Sequence, residues 1–402
     1  MLAGLLTIVA AFAITRQYAS DVPADPDRPY FAADGTAHFL DGAQDLKESD
    51  PAGALDLLRQ ALVVSPLNVD ALVNTASIKA QSGGTAEVDA IYRHVRDLTN
   101  RNLTTLYHDL DGYIRNNDQK ATIRTATLIL NIIVGPDNSL NTYIPLRAAL
   151  IDHLVSLSGE ADNADLIVAG LQRRPLWRGS FLTALAQKGP GTAFPDLADR
   201  LGDVPPAGSA WQAYLQRLIG SGQSRAAFAT WASLLPADAM ERLGYLNNGD
   251  FEDPALLPPF GWQIKGTSGA DIAFDTSTSA SGATSLEVTF VAPAEFQNVQ
   301  QVLILDPGAY QVSGKVRMSE LKGARGVQWQ LVCVSGSALT PNGSSAAFLG
   351  SSDWSDFSFP VVIPEAGCDY QLLQLVVPAR IRSELELRGK IWFDDLKIGR
   401  SP

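Results

Sequence analysis

The sequence is poor in the side chains on which most enzyme chemistry depends. Only four histidines occur in 402 residues, His38, His94, His108 and His153, and they are scattered. Their spacing points neither to a histidine metal cluster nor to a serine–histidine pair. No G-x-S-x-G, H-E-x-x-H or P-loop is present, and no G-x-G-x-x-G opens a helix. The common signatures of hydrolases, metalloproteases and nucleotide enzymes are therefore missing. Basic runs are missing too: no stretch of Lys and Arg exceeds two residues, and the net charge is −12. Such a surface repels polyanions, which excludes nucleic acid as a partner. Cysteine is down to two, Cys333 and Cys368, both near the C-terminus. In a reducing compartment they would be two thiols. After export they would close a loop of about 35 residues, worth about 3–4 kcal/mol in the chain-entropy model.

Long apolar runs are equally scarce. An uncharged apolar stretch, residues 1–15 (MLAGLLTIVAAFAIT), falls short of the ~20 residues of a spanning helix and lacks a basic n-region. It reads as a membrane anchor or signal segment, with a buried first helix as the competing reading. A linker over 16–36 follows, rich in Pro, Asp and Gly. The whole chain is 46% hydrophobic and 18% charged, a globular composition, and its length calls for two cores.

From residue 37 to 243 the apolar spacing is helical, and a period of 34 stands out. Asp50-Pro51, Gly84-Thr85 and Asp118-Gln119 open segments at that interval. Ala54, Val88 and Thr122 then fall in register, as do Leu58, Tyr92 and Ala126, and Ala61, Val95 and Ile129. Ser65 to Ala76 is answered by Thr99 to Leu110. This part resembles the tetratricopeptide family, whose helix pairs stack into a curved α-solenoid. The resemblance implies a concave groove that takes a protein partner. Residues 131–205 keep the period poorly, because Pro175, Pro190, Pro195 and Pro205-Pro206 interrupt them.

At residue 244 Gly, Ser, Thr and alternating apolar residues take over. Strands are predicted at 283–291, 299–305, 308–318, 326–334, 356–363, 370–377 and 389–398, separated by turn chemistry such as Asp306-Pro307-Gly308 and Asn342-Gly343. Leu246 to Glu252 (LNNGDFE) opens this part, Gly261-Trp262 follows, and Ile391 to Ile398 (IWFDDLKI) closes it. The set resembles the galactose-binding-like jelly roll of carbohydrate-binding modules associated with glycoside hydrolases.

That resemblance implies a structural Ca²⁺ held by Glu252 and Asp394, with Asp395 and carbonyls of the 279–282 loop adding oxygens. The competing reading is that Asp250 and Glu252 cap a turn. Sugar binding asks for an aromatic platform flanked by amides. Trp329 between Gln328 and Gln330 offers one, with Gln371 and Gln374 on another strand. Trp329 also shares parity with Val327, Leu331 and Cys333, which places it in the core instead.

The expectation is thus a multidomain α and β chain, an α-solenoid of TPR-like helix pairs over 37–243 and an antiparallel β-sandwich of jelly-roll type over 244–402. It is a non-catalytic periplasmic protein of bacterial exopolysaccharide synthesis or export, possessing a membrane segment, a protein partner on the helices and glycan on the sandwich. A structural adaptor with protein partners only is the alternative. A glycoside hydrolase using Glu384, Glu386, Asp353 or Asp356 is the third reading.

Overall fold

The computed structural model describes residues 35–81, 83, 85–134, 143–203, 205–253 and 256–401. The expected leader 1–15 lies outside them, as does 16–34 of the expected linker. Contacts divide the chain into two units, residues 1–206 and 207–402.

In the first unit the described residues form ten helices. The first six are α1 (Ala37–Leu46), α2 (Pro51–Val64), α3 (Val69–Gln81), α4 (Thr85–Leu98), α5 (Leu103–Arg115) and α6 (Gln119–Ile133). They are followed by α7 (Ile144–Leu157), α8 (Ala161–Leu171), α9 (Arg178–Lys188) and α10 (Ala193–Arg200). Helices α2, α4 and α6 begin at 51, 85 and 119, and α3 and α5 at 69 and 103, so each start recurs after 34 residues. Capping recurs with them, because a short polar side chain before the first turn satisfies an N–H that has no helical acceptor. Asn68 accepts from the Ala71 N–H (2.9 Å) and Asn102, 34 residues on, from that of Thr105 (3.0 Å). Asp50 and Asp118 cap α2 and α6 in the same way at 3.0 Å. All nine in-register positions, from Ala54 to Ile129, are buried. A further start would fall at 119 + 34 = 153, which lies inside α7, so the strict repeat ends at α6.

The second unit begins with three helices, α11 (Gly208–Gly220), α12 (Ser224–Ser233) and α13 (Ala237–Met240), and continues as two five-stranded antiparallel sheets. One sheet has the order β1 (Gln263–Ile264), β4 (Val299–Leu303), β9 (Tyr370–Val376), β6 (Gln328–Ser335) and β7 (Ala338–Ser344). The other runs β2 (Ala270–Asp275), β3 (Ser285–Phe290), β10 (Leu387–Arg400), β5 (Gly308–Gly323) and β8 (Gly350–Ile363). Alternate residues of both sheets face inward and form one core around Trp329, Tyr310, Phe393, Leu331 and Leu373.

The expected boundary at 243/244 marks the change from helices to strands, whereas the units divide at 206/207. The reason is the packing of α12. Ser224, Ala227, Phe228 and Trp231 share one helix face at i, i+3, i+4 and i+7. Ser224 Oγ donates to the Asp369 carbonyl (3.0 Å), Trp231 Nε1 to that of Leu257 (2.8 Å), and Phe228 and Trp231 both pack on Phe260. The helix therefore belongs to the sandwich.

Strands β1, β2 and β7 are additions to the seven expected. Asn342-Gly343, expected as a turn, lies within β7, an edge strand that tolerates Pro341 because one side needs no ladder bond. Cys333 and Cys368 are joined by a disulfide, with Cα atoms 4.9 Å apart. The opening and closing motifs meet: the Leu396 N–H donates to the Gly249 carbonyl at 2.8 Å. A Cβ at Gly249 would lie 2.0 Å from the Leu396 oxygen, so only glycine fits that crossing.

Candidate functional site

Two places gather the residues singled out above. The first is the seam between the two ends of the sandwich. Asp394 is fully buried, turned inward by a bulge in β10 that leaves Asp395 at φ 55°. Its Oδ2 accepts from the Ala280 and Ser281 N–H groups (2.7 and 2.9 Å) and its Oδ1 from that of Asp395 (2.7 Å). Glu252 Oε1 accepts from the Ala283 and Thr284 N–H groups at 2.7 and 2.8 Å. Burial pushes the Asp394 carboxyl above the usual carboxylate range, while the three N–H groups pull it back down.

This donor set does not fit the Ca²⁺ expected from the resemblance. A cation site needs oxygens directed inward, whereas the 280–284 loop turns its N–H groups toward both carboxylates. Asp395 is engaged elsewhere, with Lys397 Nζ 3.3 Å from its Oδ1. Among the described residues no group of three or more His, Cys, Asp or Glu side chains is placed to hold a metal ion. The carboxylates do the work of an ion themselves: they gather the loop's donors and bind the first segment of the sandwich to its last strand.

The second place is the outer face of the β1-β4-β9-β6-β7 sheet. Strand parity sorts the expected glycan contacts into two groups. Trp329 and Gln371 point inward. Trp329 is wholly buried between Trp262 and Phe393 and offers no face to a sugar. Gln371 is 1% exposed, and its amide clamps the backbone of Leu305, accepting from the N–H at 2.7 Å. Gln328, Gln330 and Gln374 point outward. Here the structure brings together residues far apart in sequence: Gln263, Gln300, Gln374, Gln330 and Ser344 are successive cross-strand partners on all five strands.

The row is linked by its own amides. Gln300 Nε2 donates to Gln263 Oε1 (2.6 Å), Gln374 Nε2 to Gln330 Oε1 (3.1 Å), and Gln297 Nε2 to Gln374 Oε1. Each amide carries two N–H donors and a carbonyl with two lone pairs, so the row retains capacity. Gln263 Nε2, Gln330 Nε2 and the whole Gln328 amide have no protein partner among the described residues. At ~4.8 Å between strands, five strands span about 19 Å, the length of a short oligosaccharide laid across them.

Beside the row stands a second one of opposite character, Val302, Leu372 and Val332, also cross-strand partners on the outer face. Val302 and Val332 are buried although they point away from the core. Helix α12 is anchored to two segments that are themselves bonded to this sheet. One end of the helix is held at Asp369, whose N–H bonds the Val334 carbonyl, and the other at Leu257 and Phe260, beside Pro259, whose carbonyl accepts from the Val302 N–H. The sequence reading missed Gln263, Gln297 and Gln300. For Gln300 a signal was there in Asn298-Val299-Gln300, where polar and apolar residues alternate.

No family model matches the chain, and no curated protein matches it. Solved structures similar to the sandwich include carbohydrate-binding modules. One, described as CBM4, is 17% identical over 39% of this chain and 99% of its own, with a TM-score of 0.29. TmCBM61, solved with β-1,4-galactotriose, is 19% identical over 40% of this chain and 99% of its own (TM-score 0.27). The CBM22-1 xylan-binding domain from Paenibacillus barcinonensis is 12% identical over 34% and 84% (TM-score 0.25). Likenesses of this order say nothing about ligands.

Proposed function

We propose that the sandwich binds a glycan along the outward amide row, as the non-catalytic module of a cell-envelope protein. The observation that carries the reading is the continuous line Gln263, Gln300, Gln374 and Gln330, neutral, half-buried apart from the buried Gln374, and with donors to spare at Gln263 and Gln330. Sugar hydroxyls are both donors and acceptors, and amides match them in both senses. The likeness of the LNNGDFE and IWFDDLKI motifs to carbohydrate-binding modules supports the same reading.

The helical repeats hold a protein partner, and the two activities together serve bacterial exopolysaccharide synthesis or export. The disulfide favours an oxidising compartment, hence the periplasm, with residues 1–15 as anchor or signal. Among the described residues no helix is long and apolar enough to cross a membrane.

The test is affinity electrophoresis of the full chain in gels containing soluble polysaccharides, with Gln300→Ala/Gln374→Ala as the comparison. Retardation that the double variant loses by about tenfold in affinity is expected. Equal retardation of both proteins would refute the amide row as the site. Retardation of neither, with a protein co-purifying on residues 1–206, would favour the adaptor reading.

A further inference from the structure

We propose that the amide row is closed at one end, so that the protein takes the end of a glycan chain and not its interior. The inference rests on the glycan reading above and names the subsite that reading lacks. Strand β1 is an edge of its sheet, and Gln263 is the last member of the row. Beyond that edge stands α11. Between them lies a recess of about 490 Å³ whose walls include Gln212 and Gln216 of the helix, Gln263 and Lys265 of the edge, and Asn248 and Trp262. Ligand pockets typically run ~300–1,000 Å³, so the recess suits one or two sugar residues.

Its lining mixes polar groups, the Asp253 carboxylate among them, with the apolar Leu256, Pro258, Trp262, Ile264 and Phe274, and the polar groups without a commitment are on the helix. Gln212 and Gln216 stand at i and i+4 and so share one helix face. Neither amide is hydrogen-bonded to another protein group among the described residues. Lys265 lies two residues after Gln263 and therefore leaves the edge on the same side. It is exposed and has no ion pair among the described residues.

Continuity makes these groups a subsite of the row and not a separate hollow. Gln263 belongs to both: its carbonyl is bonded by Gln300, while its side chain lines the recess. A saccharide lying along the row reaches Gln263 and meets α11, which leaves no path for further residues. At the other edge β7 presents an exposed Ser344, where a chain can extend into solvent. The helix thus turns an open strip into a blind groove, with the amides of Gln212 and Gln216 facing the hydroxyls of the terminal sugar and Lys265 ready for its ring oxygens or a carboxylate.

The experiment uses the full chain and, as probes, xylan and β-1,4-galactan with xylohexaose and β-1,4-galactotriose, by isothermal titration. Each polymer is titrated at equal mass before and after partial acid hydrolysis. Binding capacity per gram should rise in proportion to the number of chain ends, and Gln212→Ala/Gln216→Ala should weaken oligosaccharide binding about tenfold. Alanine is the best helix former, so this variant keeps α11, which circular dichroism verifies. Lys265→Ala, on the opposite wall, should lower the same affinity independently. Capacity unchanged by hydrolysis, with the helix variant binding like the parent, overturns the blind groove. If Gln300→Ala/Gln374→Ala still abolishes that binding, the glycan reading survives. Binding to none of the probes overturns both.

Discussion

Gln300 and Gln301 are neighbours in the chain, yet they serve opposite ends. Gln301 is wholly buried: its Nε2 donates to the Asn247 carbonyl (2.8 Å) and its Oε1 accepts from the Asn247 N–H (2.9 Å). Gln371 does the same for Leu305. Gln300 and Gln374 lie on the other side of the same strands, bonded to amides instead of backbone. An inward amide replaces a missing strand, completing the hydrogen bonds of a segment that runs past the sheet. An outward amide keeps part of its capacity for whatever arrives from solvent. The same side chain is structural or receptive according to parity alone.

The sharpest way to break this contrast is to remove one amide from each side. Gln301→Leu leaves the buried N–H and carbonyl of Asn247 unpaired, and each such group costs about 1–3 kcal/mol. We expect a loss of about 3 kcal/mol in urea unfolding, with an unchanged slope, and no change in glycan affinity for the protein that remains folded. Gln374→Leu should reverse the pattern. Its partners Gln297 and Gln330 can turn to water, so stability falls by about 1 kcal/mol or less while glycan affinity falls several-fold. Equal stability losses in the two variants would sink the division into structural and receptive faces.

The helical repeat was readable because its information is local. A helix start, its cap and its buried positions all lie within one 34-residue segment, so Asn68 and Asn102, or Leu58 and Tyr92, line up by counting. The longer strands were readable from alternation, and parity placed Trp329 in the core. Strand β1 was not readable, because two residues carry no period. The amide row was out of reach for a different reason. Its members come from strands β1, β4, β9, β6 and β7, and only the order of the sheet makes Gln263 a neighbour of Gln300 or Gln374 a neighbour of Gln330. Grouping Gln371 with Gln374 failed on parity, since three residues along a strand is an odd step and changes the face. The carboxylate seam turned on direction: the resemblance of the opening and closing motifs implies that Glu252 and Asp394 stand near the 279–282 loop but does not say whether that loop offers them carbonyls or N–H groups. Helix α12 lies within the helical spacing read over 37–243, while its allegiance to the sandwich depended on the match between Phe228 and Trp231 and the distant Phe260.

The smallest expected effect concerns the outer face of the other sheet, which sharpens the comparison by contrast. There Glu287, Trp392 and Arg317 form a cross-strand row that is ionic and self-satisfied. Trp392 Nε1 donates to Asp275 and Glu287 (2.9 and 3.0 Å), Lys390 pairs with Glu287 (2.9 Å), and Arg317 and Lys390 lie over the indole ring. Hydrogen bonds from Ser277, with help from Trp392, hold the Asp275 carboxyl down at about 2 against an ordinary 3.8. A carboxyl depressed by folding adds stability that is present above its unfolded value and lost as the pH falls through the folded one. Stability should therefore decline between the ordinary value and about 2. Because Asp275 is partly exposed, solvent screening limits its share to about 1 kcal/mol. Asp275→Asn should remove that share of the acid limb and leave other depressed carboxyls, Glu384 beside Arg325 and Asp306 beside Arg225, to contribute theirs. Glycan binding should not respond to the substitution, since the row on this face is ionic and its groups pair with one another. An affinity that follows Asp275 would move the receptive face to the wrong sheet, and titration of parent and variant from neutral pH down to the acid limb decides it.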